Sequence, residues 1–101
     1  MSLAVEKEKK LKHPYIEKKK GVCGGEPVIA GTRISVNLIV ELERAGNSVD
    51  EIVVMYPHIT HAQVYDALSY YYDHKEEIDK IIEENKEAYW MEKTKGEGWR
   101  K

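Results

Sequence analysis

The sequence has no phenylalanine, three prolines, a single cysteine and no long apolar run. Each shortage removes a class of protein. Cys23 stands alone, so no disulfide can close within the chain and no multi-cysteine zinc site can form. A cytoplasmic location is the expectation that follows. His13, His58, His61 and His74 share no metal-ligand spacing; His58 and His61 flank a turn three residues apart with no cysteine nearby. Neither a metal nor a cofactor is expected. Nothing approaches the ~20 apolar residues that span a bilayer, and the Lys/Glu-rich N-terminus lacks the apolar stretch of a signal peptide. Basic residues are scarce in the middle of the chain. Residues 36–73 hold one arginine against six acids, a net charge of −5.

What is present fits one globular domain. The chain has 101 residues, 42% of them hydrophobic and 34% charged. A chain of this length buries roughly 65% of the surface its unfolded form exposes, enough for one modest core. Charge is divided along it: residues 1–35 carry +4 and residues 36–101 carry −6. A basic arm thus precedes an acidic body.

Pro14 stops any helix in the head, residues 1–13, and Tyr15-Ile16-Glu17-Lys18 begins a first strand near 15–19. Pro27 opens a second strand near 27–30. The loop between them, Lys20 to Glu26, is longer than a tight hairpin turn, so whether the strands pair directly, and within one chain or between two, stays open. Ser35 is an N-cap for a helix burying Val36, Leu38, Ile39, Val40 and Leu42, which Gly46-Asn47 ends. Ser48-Val49-Asp50-Glu51 matches a capping box, followed by one apolar face of Val49, Ile52, Val53 and Tyr56. Thr60-His61-Ala62-Gln63 repeats the capping signal. The helix it starts is expected to bury Val64, Ala67, Leu68, Tyr71 and Tyr72, and either to run to about residue 91 or to break near Asp73-His74; continuity is favoured, since no Gly or Pro appears until Gly96. Three helices with short connections form a helix-turn-helix pattern.

The organisation predicted is mainly α: a basic head (1–13), a β-element plus tri-helical helix-turn-helix domain (14–75), a C-terminal helical extension (76–95) and a disordered tail (96–101). The apolar stripe past Leu68 has no partner in so small a bundle, which predicts a homodimer with Tyr71, Ile78, Ile82 and Tyr89 at its interface.

Gly24-Gly25-Glu26-Pro27-Val28-Ile29-Ala30-Gly31-Thr32-Arg33-Ile34, followed by a helix, a Ser-x-x-Glu cap and Tyr-Pro-x-Ile-Thr, resembles a small prokaryotic domain-of-unknown-function family. Its members are often described as VapB-type antitoxins. The resemblance covers about residues 15–75. It implies a homeodomain-like helix-turn-helix with an N-terminal β-element, and an antitoxin that binds a PIN-like ribonuclease toxin.

A DNA-reading third helix would present His61, Gln63, Asp66, Ser69, Tyr70 and Asp73 to base edges. Two aspartates and no Lys or Arg make a poor surface for a polyanion. Gln63 also serves as the capping residue. DNA binding would draw on Lys18, Lys19, Lys20, Arg33 and the lysines of the head, with His61 and Gln63 as base or phosphate contacts. Arg33 either contacts nucleic acid or a partner carboxylate, or pairs internally with Glu43, Asp50 or Glu51; the internal pair is favoured. Gly24, Gly25, Pro27, Gly31, Thr32 and Arg33 form the structural motif, a clasp. The loop at 21–25 lacks the Gly-Lys-Ser/Thr ending of a phosphate-binding loop, and no His-Asp pair stands beside Cys23 in sequence. No enzymatic activity, small-molecule substrate or membrane partner is expected. The function expected is an antitoxin-like, dimeric regulator with a toxin partner and promoter DNA as a second target; the alternative is an interaction module of the same fold that does not bind DNA.

Overall fold

The computed structural model describes the backbone of residues 12–98 and the side chains of residues 12–86. The head lysines Lys7, Lys9 and Lys10 therefore lie outside the described residues, as do Trp99 to Lys101. Strand β1 (Ile16–Lys18) pairs directly with β2 (Pro27–Ile29) in one chain, antiparallel, with Ile16 opposite Ile29 and Lys18 opposite Pro27. The long connection is taken up by a single 3-10 turn over Cys23–Gly25, in which Cys23 and Gly24 have φ of 49° and 65°.

The Gly-Thr-Arg-Ile segment reverses the chain straight after β2. Gly31 sits at φ +79°, a conformation that residues with a side chain rarely adopt. The Thr32 amide donates to the Ile29 carbonyl at 3.0 Å, and the Thr32 hydroxyl donates to the same carbonyl at 2.7 Å. That hydroxyl also accepts from the Ile34 amide at 3.0 Å, and the Ile29 amide donates to the Ile34 carbonyl at 2.9 Å. Glu17 on β1 accepts from the Gly31 amide at 3.1 Å. The motif is thus a clasp that turns buried Val28 and Ile29 back alongside buried Ile34 and Ser35.

Four helices follow: α1 (Val36–Arg44), α2 (Val49–Met55), α3 (His61–Asp73) and α4 (Lys75–Gly98). Ser35 caps α1 by accepting from the Leu38 amide. Both capping boxes form, Ser48 with Glu51 and Thr60 with Gln63. Gln63 accepts from the Thr60 amide at 2.7 Å, which fixes its structural role. The core gathers Ile29, Ile34, Val36, Ile39, Val40, Ile52, Ile59, Val64 and Ala67 between hairpin and helices.

The unbroken helix expected from residue 61 to 91 does not form. His74 takes φ −137° and ψ 47° and serves both sides of a break: its amide donates to the Tyr70 and Tyr71 carbonyls, and its carbonyl accepts from the Ile78 amide. No Gly or Pro causes this. Tertiary packing does, because the break turns α4 back onto α1 and buries Ile78, Ile81 and Ile82. Each such burial contributes about 1.5–3 kcal/mol, more than one interrupted helical turn costs. Helix α4 is continuous to Gly98, so residues 96–98 extend it instead of forming the expected disordered tail.

Two further expectations are corrected. Tyr71, Ile78 and Ile82, expected at a dimer interface, are core residues of a single chain, and Tyr89 lies outside the described side chains. Tyr70 and Tyr72 exchange roles: Tyr70 is buried and Tyr72 is 62% exposed. No helix among the described residues is long and apolar enough to cross a membrane.

Candidate functional site

Helix α3 lies at the centre of the molecule, and its 100° residue step divides its surface into three sectors. Val64, Ala67 and Tyr71 face the bundle and are buried. The Tyr71 hydroxyl donates to Asp79 at 3.0 Å, and Arg44 donates to both that hydroxyl and Asp79 at 2.8 Å, which ties α1, α3 and α4 together. Hydrogen bonds from Arg44, then from Tyr71, hold the Asp79 carboxyl below its usual range. Burial and then the bond to Asp79 push the Tyr71 hydroxyl up.

The second sector faces the N-terminal segment. The side chain of His13 is only 9% exposed and lies between two carboxylates, with Nδ1 3.3 Å from Asp66 and Nε2 2.8 Å from Asp73. A carboxylate can only accept, so both contacts are hydrogen bonds when both ring nitrogens carry protons. Asp66 also accepts from the Tyr15 amide at 2.8 Å. The imidazole meets the Tyr70 ring edge-on at 5.2 Å, and Tyr70 stacks on His74 at 4.3 Å. Beside this group, Lys18 reaches Glu77 at 2.7 Å, and the Tyr70 hydroxyl donates to the other Glu77 oxygen at 2.9 Å. Burial pushes the Glu77 carboxyl up, but the bonds from Lys18 and Tyr70 outweigh it and hold the group below its usual range. The bond to Glu77 raises Lys18, against burial.

The third sector is open. It carries His61, Ala62, Tyr65, Ser69, Tyr72 and Asp73, all exposed. Tyr65 is 59% and Tyr72 62% exposed, and the Lys75 ammonium sits 5.1 Å from the Tyr72 ring centroid. No Lys or Arg occurs anywhere in α3.

These sectors settle where the sequence candidates stand. His61 is bound to Asp50 at 2.7 Å, joining α3 to α2. Gln63 closes the capping box with the N-cap Thr60, Lys18 is paired with Glu77, and Lys19, Lys20 and Arg33 are exposed. The favoured pairing of Arg33 with Glu43, Asp50 or Glu51 is not formed: Asp50 holds His61, Glu51 closes its capping box, and Arg33 has no ion pair among the described residues. Its carbonyl accepts from the Cys23 thiol at 3.3 Å. Gly24, Gly25, Pro27, Gly31 and Thr32 shape the clasp and carry no reactive group. No group of three or more His, Cys, Asp or Glu among the described residues could hold a metal ion.

Sequence reasoning passed over two features of α3. The His13 clamp gave no local signal. Tyr65 did, since Ala62/Ser69, Tyr65/Tyr72 and Asp66/Asp73 each repeat at seven residues.

Comparison with known proteins bears on the fold. Residues 16–71 match the family model described as DUF433, a protein family of unknown function. The fold is similar to the crystal structure of a DUF433 member from Anabaena variabilis, with 33% sequence identity and a TM-score of 0.66; the match covers 80% of this chain and 79% of that one. None of the curated proteins matches the sequence significantly.

Proposed function

The chain belongs to the DUF433 family, and from that premise we propose that it is an antitoxin-like interaction module whose α3 binds a partner protein. One observation carries the reading: the open face of the central helix offers two exposed tyrosines, and the helix itself contains no Lys or Arg. Exposed aromatic side chains are what protein interfaces use, and a face without Lys or Arg has nothing to neutralise phosphates. The resemblance to VapB-type proteins supplies the partner class, a PIN-like ribonuclease held inactive in the complex. On this reading the module binds and does not catalyse, works in the cytoplasm, and forms a homodimer along the part of α4 beyond Ile82.

The experiment is co-expression with a PIN-like ribonuclease encoded beside this chain, followed by co-purification and an RNA-cleavage assay. The expected result is a stable complex with cleavage suppressed. Failure to co-purify, with cleavage unaffected by excess chain, refutes the reading.

Promoter DNA is a second target, on a different surface. Lys19, Lys20 and Arg33 are exposed and have no ion pair among the described residues. Three phosphate contacts correspond to a slope of log affinity against log salt of roughly −3. A flat salt dependence, or no binding at low ionic strength, removes this second target and leaves the first intact.

A further inference from the structure

We propose that the open face of α3, with the hollow at its C-terminal end, receives an arginine-bearing helix of the partner protein. The inference rests on the reading that α3 binds protein, and it names what that protein presents.

The first support is the repeat. In a helix, residues seven apart lie about 10 Å apart along the axis and only about 20° apart around it. Ala62 and Ser69 therefore form a row of small side chains, with a row of Tyr65 and Tyr72 on one side and a row of Asp66 and Asp73 on the other. A floor of small residues beside an aromatic wall, repeated at seven, matches the seven-residue repeat of a second helix packed alongside.

The second support is the hollow where α3 breaks from α4. It has a volume of about 460 Å3 and is lined by Tyr72, Asp73, His74, Lys75, Glu76 and Glu77. Asp73 is 54% exposed, and only its Oδ2 is engaged, by His13. Glu76 is exposed and has no ion pair among the described residues. The Tyr72 ring already carries a cation, the Lys75 ammonium at 5.1 Å. A guanidinium seated in the hollow would take the place of the Lys75 ammonium on the Tyr72 ring and lie beside the Asp73 and Glu76 carboxylates, which suits arginine better than lysine.

A second copy of this chain fits less well. Of the described arginines, Arg44 is bound to Asp79 and Tyr71 and Arg33 lies in a turn; Arg100 lies outside the described residues.

The test titrates two synthetic helical peptides into the isotope-labelled full chain and follows amide shifts. The peptides share two heptads of apolar residues; one carries arginine at the position facing the hollow and the other glutamate. The arginine peptide is expected to shift Tyr65, Ser69, Tyr72, Asp73 and Glu76, and to bind about tenfold more weakly to Tyr72→Ala and to Glu76→Gln. Both side chains are exposed, and circular dichroism confirms the fold of each variant. Equal binding of the two peptides, no binding, shifts confined to another face, or self-association abolished by Tyr65→Ala would each overturn the proposal. The same variants separate it from the functional reading. If the ribonuclease co-purifies undiminished with Tyr72→Ala and Glu76→Gln, the site is wrong while the function stands. If the arginine peptide binds as expected but no ribonuclease co-purifies, the site stands without that function.

Discussion

His13 Nε2 and Asp73 Oδ2 lie 2.8 Å apart although sixty positions separate them in the chain. With the second contact to Asp66, one imidazole fastens the segment before β1 to two points of α3 that lie about two turns apart. Among the described residues, the segment before β2 is anchored to α3 by this ring and the Tyr15 amide, and to α4 by the Lys18–Glu77 pair.

Replacing that ring by a methyl group leaves two carboxylates facing a gap. His13→Ala is expected to lower the unfolding free energy by about 1–3 kcal/mol, measured by urea denaturation. Amide exchange should accelerate at Ile16–Lys18 while Ile39 and Val40 keep their protection. Unchanged exchange in β1 would show that the ring does not anchor the segment.

Thr32 holds the clasp by its hydroxyl, which both donates and accepts. Thr32→Val keeps the shape and removes both bonds, for an expected loss of about 1–2 kcal/mol, whereas Thr32→Ser retains most of the stability. Gly31→Ala isolates the backbone. Nothing lies within 4 Å of where its Cβ would stand, so the expected loss of about 1 kcal/mol is conformational alone. A Thr32→Val protein as stable as the parent would remove the hydroxyl from the account.

The lowered carboxyl of Glu77 gives a pH dependence whose sign is fixed. Its folded-state pKa lies below the unfolded one, so its contribution is fully present above the ordinary glutamate pKa and is lost as pH falls through the lower folded-state value. Asp79 acts in the same direction. Urea midpoints measured from pH 7 to pH 3 should fall, and Glu77→Gln should flatten part of that fall. A Glu77→Gln protein with the parent's full acid sensitivity would contradict the Lys18–Glu77–Tyr70 assignment.

Helix α4 spans 24 residues, about 36 Å, and among its described side chains, Lys75 to Lys86, the last to enter the core is Ile82. Light scattering at micromolar concentration is expected to give a dimer, and truncation after Lys86 a monomer. A monomeric parent chain refutes this.

The parts of the fold legible in the sequence are those whose cause is local. Ser48 with Glu51 and Thr60 with Gln63 satisfy each other across three residues, and both caps form. Pro27, Gly31 and Thr32 shape their own turn. What the sequence hid was set by distant partners. The exchange of Tyr70 and Tyr72 arises because α3 is covered on two sides, by the bundle and by the N-terminal segment, and a single apolar stripe describes only one of them. The break at His74 carries no Gly or Pro mark, since it is the burial of Ile78 and Ile82 against α1 that favours it. In the candidate site, the aromatic repeat of Tyr65 and Tyr72 was readable, but the hollow beside it exists only because α4 turns away.

The His13–Asp73 contact also sets an order of events during synthesis. His13 is made before Asp73, which follows it by sixty residues. At 5–20 residues per second that interval is roughly 3–12 s. For that time β1 can pair with β2 and the clasp can close, while the N-terminal segment has no helix to dock against. On the ribosome, the most N-terminal part of the fold is therefore among the last to reach its final place.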